Sequence, residues 1–197
     1  MNVDISDIRN YNNFDDEDWA VIRMSRYKDV ANLVLVTPMV FIGDVDAVDG
    51  FSKKQALENI LSVEKQLNKD YRIYETYKGY RIFDVEQLYD LGNREQRLQS
   101  INIMEALRSD EKYIYFCQMR KKYAARLTPK VHRPEESKVC DLVKLGAEIT
   151  LPEVFTVVKM HDDMCFSDND WCDTWRGLDT TKREPPSSPP YNHNEPF

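Results

Sequence analysis

The sequence predicts an α+β fold, because segments with strand-like and helix-like periodicity alternate along the chain. Hydrophobic residues make up 42% of the 197 residues and aromatic residues 11%, which is enough for a packed core. The length fits one domain with an appendage. We divide the chain into a flexible acidic leader (1–18), an α/β core domain (19–130), a C-terminal appendage of the core (131–177) and a proline-rich tail without regular structure (178–197).

The first elements of the core surround the most apolar stretch of the chain. Residues 19–24 predict a short strand or a helical turn. Residues 32–42 are rich in β-branched side chains and predict a buried strand. We expect Pro38 to kink or divide this strand, because proline cannot donate a hydrogen bond to a neighbouring strand. The stretch ends at the acidic segment Gly43-Asp44-Val45-Asp46.

A helix and a hairpin follow this acidic segment. Ser52 and Gln55 have the form of a capping box, which predicts that a helix begins there and runs over residues 53–67. Aromatic and β-branched residues on both sides of Gly79 predict a β-hairpin, with strands at 71–76 and 80–85.

The later elements are predicted from the same periodicities. Apolar residues at helical spacing predict helices over residues 94–108 and 110–121. The strand predicted at residues 123–127 is stopped by Pro129, and a further strand is predicted at residues 154–158.

Residues 32–130 therefore follow the order β-α-β-β-α-β. This is the split β-α-β plan of ferredoxin-like and RNA-recognition-motif (RRM) folds. It predicts one sheet with helices 53–67 and 94–108 on one face, followed by a loop-rich appendage. The strands of that sheet would be residues 32–42, 71–76, 80–85 and 123–127.

Charge is unevenly distributed along the chain. The net charge of −7 argues against a general DNA-coating protein. Residues 51–130 nevertheless carry 16 basic and 11 acidic residues, and residues 120–130 carry five positive charges and no carboxylate. This basic segment is either an ordinary solvated surface or a phosphate-binding face.

The composition also bears on where the protein works. No apolar run approaches the length of a membrane helix, and residues 1–18 lack the pattern of a secretion signal, so we expect no membrane partner. Four cysteines in a chain of this length do not resemble a disulfide framework. We therefore expect a reducing compartment, most simply the cytoplasm.

Two carboxylates stand at the end of the apolar stretch. Asp44 and Asp46 are two residues apart on a predicted strand, so their side chains point to the same side. Such a pair can hold one divalent cation, and oxygen ligands suit Mg²⁺ or Mn²⁺, which bridge substrate phosphates. Asp49 lies close enough to contribute. The alternative is an acidic turn that ends the strand without binding a metal.

The hairpin offers groups that could bind phosphate. Lys78 and Arg81 supply positive charge, and Gly79 allows a backbone to approach a phosphate closely. Arg126 and Lys130, in the basic segment, could neutralise further phosphates. The alternative is a plain hairpin whose tyrosines pack across the sheet.

These two features together resemble a known family. An apolar strand ending in Asp44-x-Asp46, then a helix, then a glycine-containing hairpin resembles the catalytic core of archaeo-eukaryotic-type primases (primase-polymerases). The resemblance implies that Asp44 and Asp46 bind the catalytic metal and that residues 76–81 lie at the nucleotide phosphates. The chain also resembles small uncharacterised bacterial and phage proteins, which implies no activity.

The chain departs from the primase pattern at two places. Arg81 stands where the family has a histidine, and Arg126 and Lys130 stand where a third carboxylate is expected. Either Asp84 or Asp162 replaces that carboxylate, or the site binds nucleotide without polymerising it.

The C-terminal part contains a group of potential metal ligands. A mixed zinc site could be formed from His132, Cys140, His161, Cys165 and Cys172, although their spacing is unlike that of a zinc finger or ribbon. Buried free cysteines are the plain alternative. A Cys165 nucleophile is a third option, with His161 as its base and Asp162 or Asp163 orienting the imidazole.

The sequence therefore leaves two hypotheses of function. The first is a primase-like nucleotide- or nucleic-acid-binding domain, with metal-dependent nucleotidyl transfer through Asp44 and Asp46. The second is a non-enzymatic phage or bacterial accessory protein that binds a nucleotide, RNA or protein partner through its basic central face. Neither a P-loop nor a dinucleotide-binding glycine motif is present in the sequence.

Overall fold

The described part of the chain covers most of the predicted core. In a computed structural model, it comprises residues 20–27, 30–129 and 138–166. The predicted leader 1–18 and tail 178–197 lie outside these residues, as do Lys130, His132 and Cys172.

Seven strands and four helices make up the described residues, so the α+β class is confirmed. The strands are β1 (Val21–Tyr27), β2 (Val30–Thr37), β3 (Val40–Asp46), β4 (Arg72–Thr76), β5 (Gly79–Leu88), β6 (Tyr123–Arg126) and β7 (Cys140–Lys144). The helices are α1 (Lys53–Leu67), α2 (Arg94–Ala106), α3 (Glu111–Arg120) and α4 (Pro152–Phe166). The predicted hairpin is β4–β5, and both halves of the predicted capping box at Ser52 and Gln55 are formed.

The strands form two antiparallel sheets, so the prediction of one sheet is wrong. The first sheet has the order β1-β2-β6 and the second the order β3-β5-β4-β7. The apolar stretch 32–42 is divided between them, because the chain turns at Pro38 and Met39, whose carbonyls accept hydrogen bonds from Leu91 and Tyr89. As a result β2 pairs with β6, and β3 pairs with β5.

The β-α-β unit that the sequence predicts is present in the second sheet. Strands β3 and β4 are each antiparallel to β5, which lies between them, so β3 and β4 are parallel to each other. Helix α1 connects these two parallel strands. Strand β6, the predicted strand at residues 123–127, belongs instead to the first sheet, and β7 occupies the edge beside β4.

Helices lie on both faces of the second sheet, because α4, where the sequence predicted no helix, covers the face opposite α1. Lys53 of α1 bonds to Glu75, whose cross-strand partner is Tyr80, so α1 lies on the Tyr80 face. On the opposite face, the ring of His161 in α4 packs against Phe83, with ring centroids 5.0 Å apart.

Helix α4 replaces the strand predicted at residues 154–158. The β-branched residues there suggested a strand, but Val154, Val157, Val158 and His161 are buried at helical spacing. Their common face covers the second sheet, and this tertiary contact outweighs the local preference for strand.

Aromatic rings join the two sheets in one core. Phe41 of β3 packs against Tyr123 of β6 at 5.8 Å between ring centroids and against Tyr89 at 5.7 Å, and all three side chains are fully buried. The helices of the described part are all too short or too polar to cross a membrane.

Candidate functional site

A cleft of about 250 Å³ lies between the two sheets. Its walls come from β3 and the β4–β5 turn on one side and from β2, β6 and α3 on the other. The charged residues that line it are Asp44, Asp46, Lys78, Arg81 and Arg126. The remaining lining residues are Val34, Thr76, Tyr77, Tyr113 and Ala124. The cleft thus brings together most of the site residues that the sequence predicts.

The two carboxylates of β3 face the same side of the second sheet. Asp44 lies opposite Arg81 in the β3–β5 pair, and Asp46 lies opposite Gly79. Burial is the main reason that the pKa of Asp44 is raised above its ordinary value. The charge of Arg81 opposes this rise, whereas that of Asp46 adds to it. A cation bound beside Asp44 would remove this electrostatic cost.

The β4–β5 turn is held firmly against the end of β3. The Gly79 N–H donates to the Thr76 hydroxyl, and the Ala47 N–H donates to the Lys78 carbonyl at 2.8 Å. A Cβ atom at position 79 would lie 1.9 Å from the carbonyl oxygen of Val45. Glycine is therefore required at this position for the strands to pair. The preceding residue, Lys78, lines the cleft and has an exposed side chain.

The two arginines of the cleft are linked to each other. Arg81 is only 5% exposed, and its Nη1 donates to the backbone carbonyl of Arg126 at 2.9 Å. Arg126 donates in turn from Nη1 to the Thr128 carbonyl. These bonds fix both guanidinium groups at the border between the two sheets. Lys130, which the sequence placed with them, lies outside the described residues.

The candidates for a third carboxylate lie elsewhere. Asp84 is fully buried and bonds to Lys69 and Tyr89. Asp162 belongs to α4 and bonds to Arg72. Asp49 lies in an exposed turn. Among the described residues, the carboxylates that line the cleft are therefore Asp44 and Asp46.

A second group of reactive side chains lies on the α4 face of the second sheet. Cys140, His161 and Cys165 place their ligand atoms within 4.8 Å of one another, and this group could hold a metal ion. The Nε2 atom of His161 is 4.0 Å from the Cys140 sulfur and 3.7 Å from the Cys165 sulfur. Cys140 begins β7, whereas His161 and Cys165 are one helical turn apart on α4.

The imidazole of His161 is held from both sides. Its Nδ1 is 3.0 Å from the Asp162 carboxylate, and its Nε2 is 3.0 Å from Nη1 of Arg81. A guanidinium can only donate, so Nε2 accepts this bond and Nδ1 carries the proton donated to Asp162. Asp162 also accepts hydrogen bonds from Tyr74 and Arg72. The tautomer with the proton on Nδ1 and a lone pair on Nε2, which accepts from Arg81, is therefore favoured.

The two thiols differ in their ionisation. A hydrogen bond with Cys165 is the largest influence that lowers the pKa of Cys140 to about 5, with His161 and Arg81 contributing and burial opposing. The pKa of Cys165 is raised, first by the same hydrogen bond and then by burial. The Cys165–His161–Asp162 arrangement considered from the sequence is assembled, but the pKa of its cysteine is shifted away from the thiolate form that a nucleophile needs. Asp163 instead pairs with Lys159.

The sequence identified Cys140, His161 and Cys165 as potential ligands, but it did not show that they lie close together. His161 and Cys165 share one helix face only because residues 152–166 form a helix. The sequence predicts a strand at 154–158, so it does not bring these two side chains together. Cys140 joins them because β7 pairs with β4, with Cys140 opposite Thr76. That pairing depends on contacts between distant parts of the chain.

Comparisons with known proteins do not identify a relative. No family model matches the chain, and neither the curated proteins nor the solved structures that were searched give a significant match.

Proposed function

We propose that this protein binds the phosphates of a nucleotide or of a single-stranded nucleic acid, together with Mg²⁺ or Mn²⁺, in the cleft between its sheets. The observation that carries this proposal is the convergence of Asp44 and Asp46 with Lys78, Arg81 and Arg126 on one concave surface. Two carboxylates beside three cationic groups match a metal-bound phosphate, which presents a cation and negative oxygens together.

The pair of carboxylates in the cleft supplies the negative charge that attracts a cation. Asp44 and Asp46 project to the same side, and the raised pKa of Asp44 reflects the cost of ionising a partly buried carboxylate next to a second one. A divalent cation between them offsets that cost. Lys78, Arg81 and Arg126 then neutralise the phosphate oxygens that complete the coordination of the metal.

The dimensions of the cleft favour the phosphate end of a nucleotide. Its volume of about 250 Å³ is slightly below the range of about 300–1,000 Å³ typical of small-molecule pockets. It therefore accommodates phosphates and a cation, while the base lies outside. Tyr77, which lines the cleft and is 45% exposed, offers a ring on which a base can stack.

The same features support the primase-like interpretation in its binding form. Strand β3 ends in the two aspartates and the β4–β5 hairpin follows the helix, as the resemblance to primases implies. Nucleotidyl transfer with two metal ions requires further oxygen ligands, and neither Asp84 nor Asp162 lines the cleft. Binding is therefore the primary activity that we propose, and transfer is a further activity to be assayed.

The metal half of the proposal is tested with Mn²⁺ by electron paramagnetic resonance, which measures free Mn²⁺. The Asp44→Asn/Asp46→Asn variant should lose binding. A matched control, Asp49→Asn/Glu58→Gln, removes the same charge from exposed positions outside the cleft and should bind as the wild type does. Equal Mn²⁺ binding by both double variants would reject the metal site.

The phosphate half is tested by calorimetric titration with a nucleoside triphosphate and with a short single-stranded oligonucleotide. Lys78→Ala should weaken binding about tenfold and reduce its salt dependence, because one phosphate contact is lost. Lys54→Ala, on the exposed side of α1, should change neither the affinity nor its salt dependence. Wild-type protein that binds neither ligand at low salt would reject the proposal and leave a protein partner on the basic face as the remaining hypothesis.

A further inference from the structure

We propose that Cys140, His161 and Cys165 form a zinc site, distinct from the phosphate cleft, that competes with Arg81 for the Nε2 atom of His161. Two sulfur donors and one imidazole nitrogen are the ligands that zinc prefers, whereas Mg²⁺ and Mn²⁺ prefer oxygen. The cluster and the cleft therefore select different metals.

The distances within the cluster are close to those of a tetrahedral zinc site. Zinc–sulfur and zinc–nitrogen bonds of about 2.3 and 2.05 Å at a tetrahedral angle separate nitrogen and sulfur by about 3.6 Å. The Nε2 atom of His161 lies 3.7 Å from the Cys165 sulfur and 4.0 Å from the Cys140 sulfur. Both nitrogen–sulfur distances are thus within a few tenths of an ångström of the tetrahedral value, and all three ligand atoms lie within 4.8 Å of one another. The three donors leave the fourth tetrahedral position to water or to another donor.

The hydrogen bonds around His161 provide a second, independent indication that this residue is a metal ligand. Metal-binding imidazoles usually donate their other N–H to a carboxylate, which fixes the ring and its tautomer. Nδ1 of His161 lies 3.0 Å from Asp162, and that carboxylate is itself held by Arg72 at 2.7 Å. The ring is fully buried, so this orientation is fixed before any metal binds.

Arg81 sets a condition on metal binding. Its Nη1 is 3.0 Å from Nε2 of His161, and a neutral imidazole has only one lone pair on that nitrogen. The guanidinium and a metal ion therefore cannot use Nε2 at the same time. Nη1 also donates to the Arg126 carbonyl, so Arg81 has another partner when it leaves His161. A zinc ion and the guanidinium also repel each other, and removal of this positive charge should strengthen zinc binding.

The metal site would connect the last described strand to the last described helix. Cys140 lies at the start of the edge strand β7, and His161 and Cys165 lie on α4. Zinc binding should therefore stabilise the folded protein by mass action, because the unfolded chain does not hold the three donors together.

The first experiment uses Co²⁺ as a spectroscopic substitute for Zn²⁺ on the wild-type protein, kept reduced with a phosphine. One equivalent should give the visible absorption of a tetrahedral site and sulfur-to-cobalt charge transfer, and Zn²⁺ should displace it. Because this test needs no variant, it remains informative if substitutions in the core prevent folding. Reduced wild-type protein that gives no thiolate–cobalt spectrum would overturn the proposal.

Variants then assign the ligands by chelator competition with Zn²⁺. Asp162→Asn should reduce the affinity for Zn²⁺ about 10–100-fold. Cys140→Ser and Cys165→Ser should each reduce it further. Cys117→Ser is the matched control, since Cys117 is buried and free but lies outside the cluster. Unchanged Zn²⁺ affinity in both cluster variants would refute the ligand assignment.

The competition with Arg81 has its own measurement. Arg81→Met, which keeps an unbranched apolar side chain but removes the guanidinium and its charge, should bind Zn²⁺ on the order of tenfold more tightly. Weaker or equal binding would refute the competition. Asp44→Asn/Asp46→Asn should retain the cobalt spectrum, so failure of the zinc site and failure of the phosphate cleft can be told apart.

Discussion

Arg81 lies directly opposite Asp44 in the β3–β5 pair, and the same guanidinium reaches Nε2 of His161 at 3.0 Å. One buried side chain thus borders both the cleft between the sheets and the cysteine–histidine cluster. Its charge partly offsets the cost of ionising Asp44 and also lowers the pKa of Cys140. Any movement of Arg81 away from His161 changes the electrostatics of the cleft as well.

Asp44 should destabilise the metal-free protein at neutral pH. Its pKa is raised, so the folded state holds the proton more tightly than the unfolded state, whose value is near 3.8. The stabilising effect of the protonated form is complete below that value and is lost as the pH rises through the pKa of the folded protein. Asp44→Asn should therefore raise the melting temperature at pH 7 in the presence of a chelator, and the gain should shrink as the pH falls toward 4.

The control for this prediction is Asp49→Asn, which removes the same charge from an exposed turn and should leave the melting temperature unchanged. Added Mn²⁺ should raise the melting temperature of the wild type but not that of Asp44→Asn. A lower melting temperature for Asp44→Asn at pH 7 would contradict the prediction.

Gly79 should tolerate no side chain. A Cβ at this position would lie 1.9 Å from the Val45 carbonyl oxygen, which is backbone and cannot move aside without separating β3 from β5. Gly79→Ala should cost about 3 kcal/mol or more of unfolding free energy, measured by urea denaturation. Gly43→Ala is the matched control within the same pair of strands, because its Cβ would meet only side chains at 3.4 Å or more, and it should cost about 1 kcal/mol or less.

One wall of the cleft could be predicted from the sequence, because its residues are placed by local rules. Two aspartates two residues apart on a strand share a face, and a hairpin after a crossover helix returns beside that strand. These rules bring Lys78 and Arg81 to Asp44 and Asp46. The structure adds a role for Gly79 that the sequence did not predict, because the close pairing of β3 with β5 leaves no room for a side chain there.

The division into two sheets could not be predicted in the same way. Whether β6 pairs with β2 or with β3 depends on the pairing of Val34 with Arg126, which are distant in the sequence. The periodicity of residues 123–127 is the same in either sheet. The helix at 152–166 was missed for another reason: five residues rich in valine indicate a strand, and only the longer window that includes His161 reveals helical spacing.

The capping box of α1 should contribute measurably to stability. The Ser52 hydroxyl accepts the Gln55 N–H, and the Gln55 side chain accepts the Ser52 N–H at 2.8 Å. Ser52→Ala should cost about 1 kcal/mol, which corresponds to a fall of about 3 °C in melting temperature. Ser62→Ala, at an exposed position inside the same helix, should change stability by less than about 0.5 kcal/mol. Equal effects of the two substitutions would contradict a specific contribution from the cap.

The buried Glu64 should depend on Lys144 of the edge strand β7. Glu64 is only 4% exposed, and its carboxylate accepts the Tyr71 N–H and two hydrogen bonds from the Lys144 ammonium, one on each oxygen at 2.8 Å. Lys144→Met removes this counter-ion and leaves a buried charge, which should cost about 3 kcal/mol. Glu64→Gln keeps an acceptor for Tyr71 but also breaks the ion pair.

A double-mutant cycle isolates the energy of this pair. The Glu64→Gln/Lys144→Met protein no longer contains the unpaired carboxylate, so its loss of stability should be smaller than the sum of the two single losses by about 1–2 kcal/mol. Lys144 also pairs with Asp70, and Asp70→Asn in each background separates that contribution. Urea denaturation of the four proteins of the cycle gives the coupling energy. Strictly additive losses would show that Glu64 does not need Lys144, and the attachment of β7 to the sheet would then rest on its backbone pairing with β4.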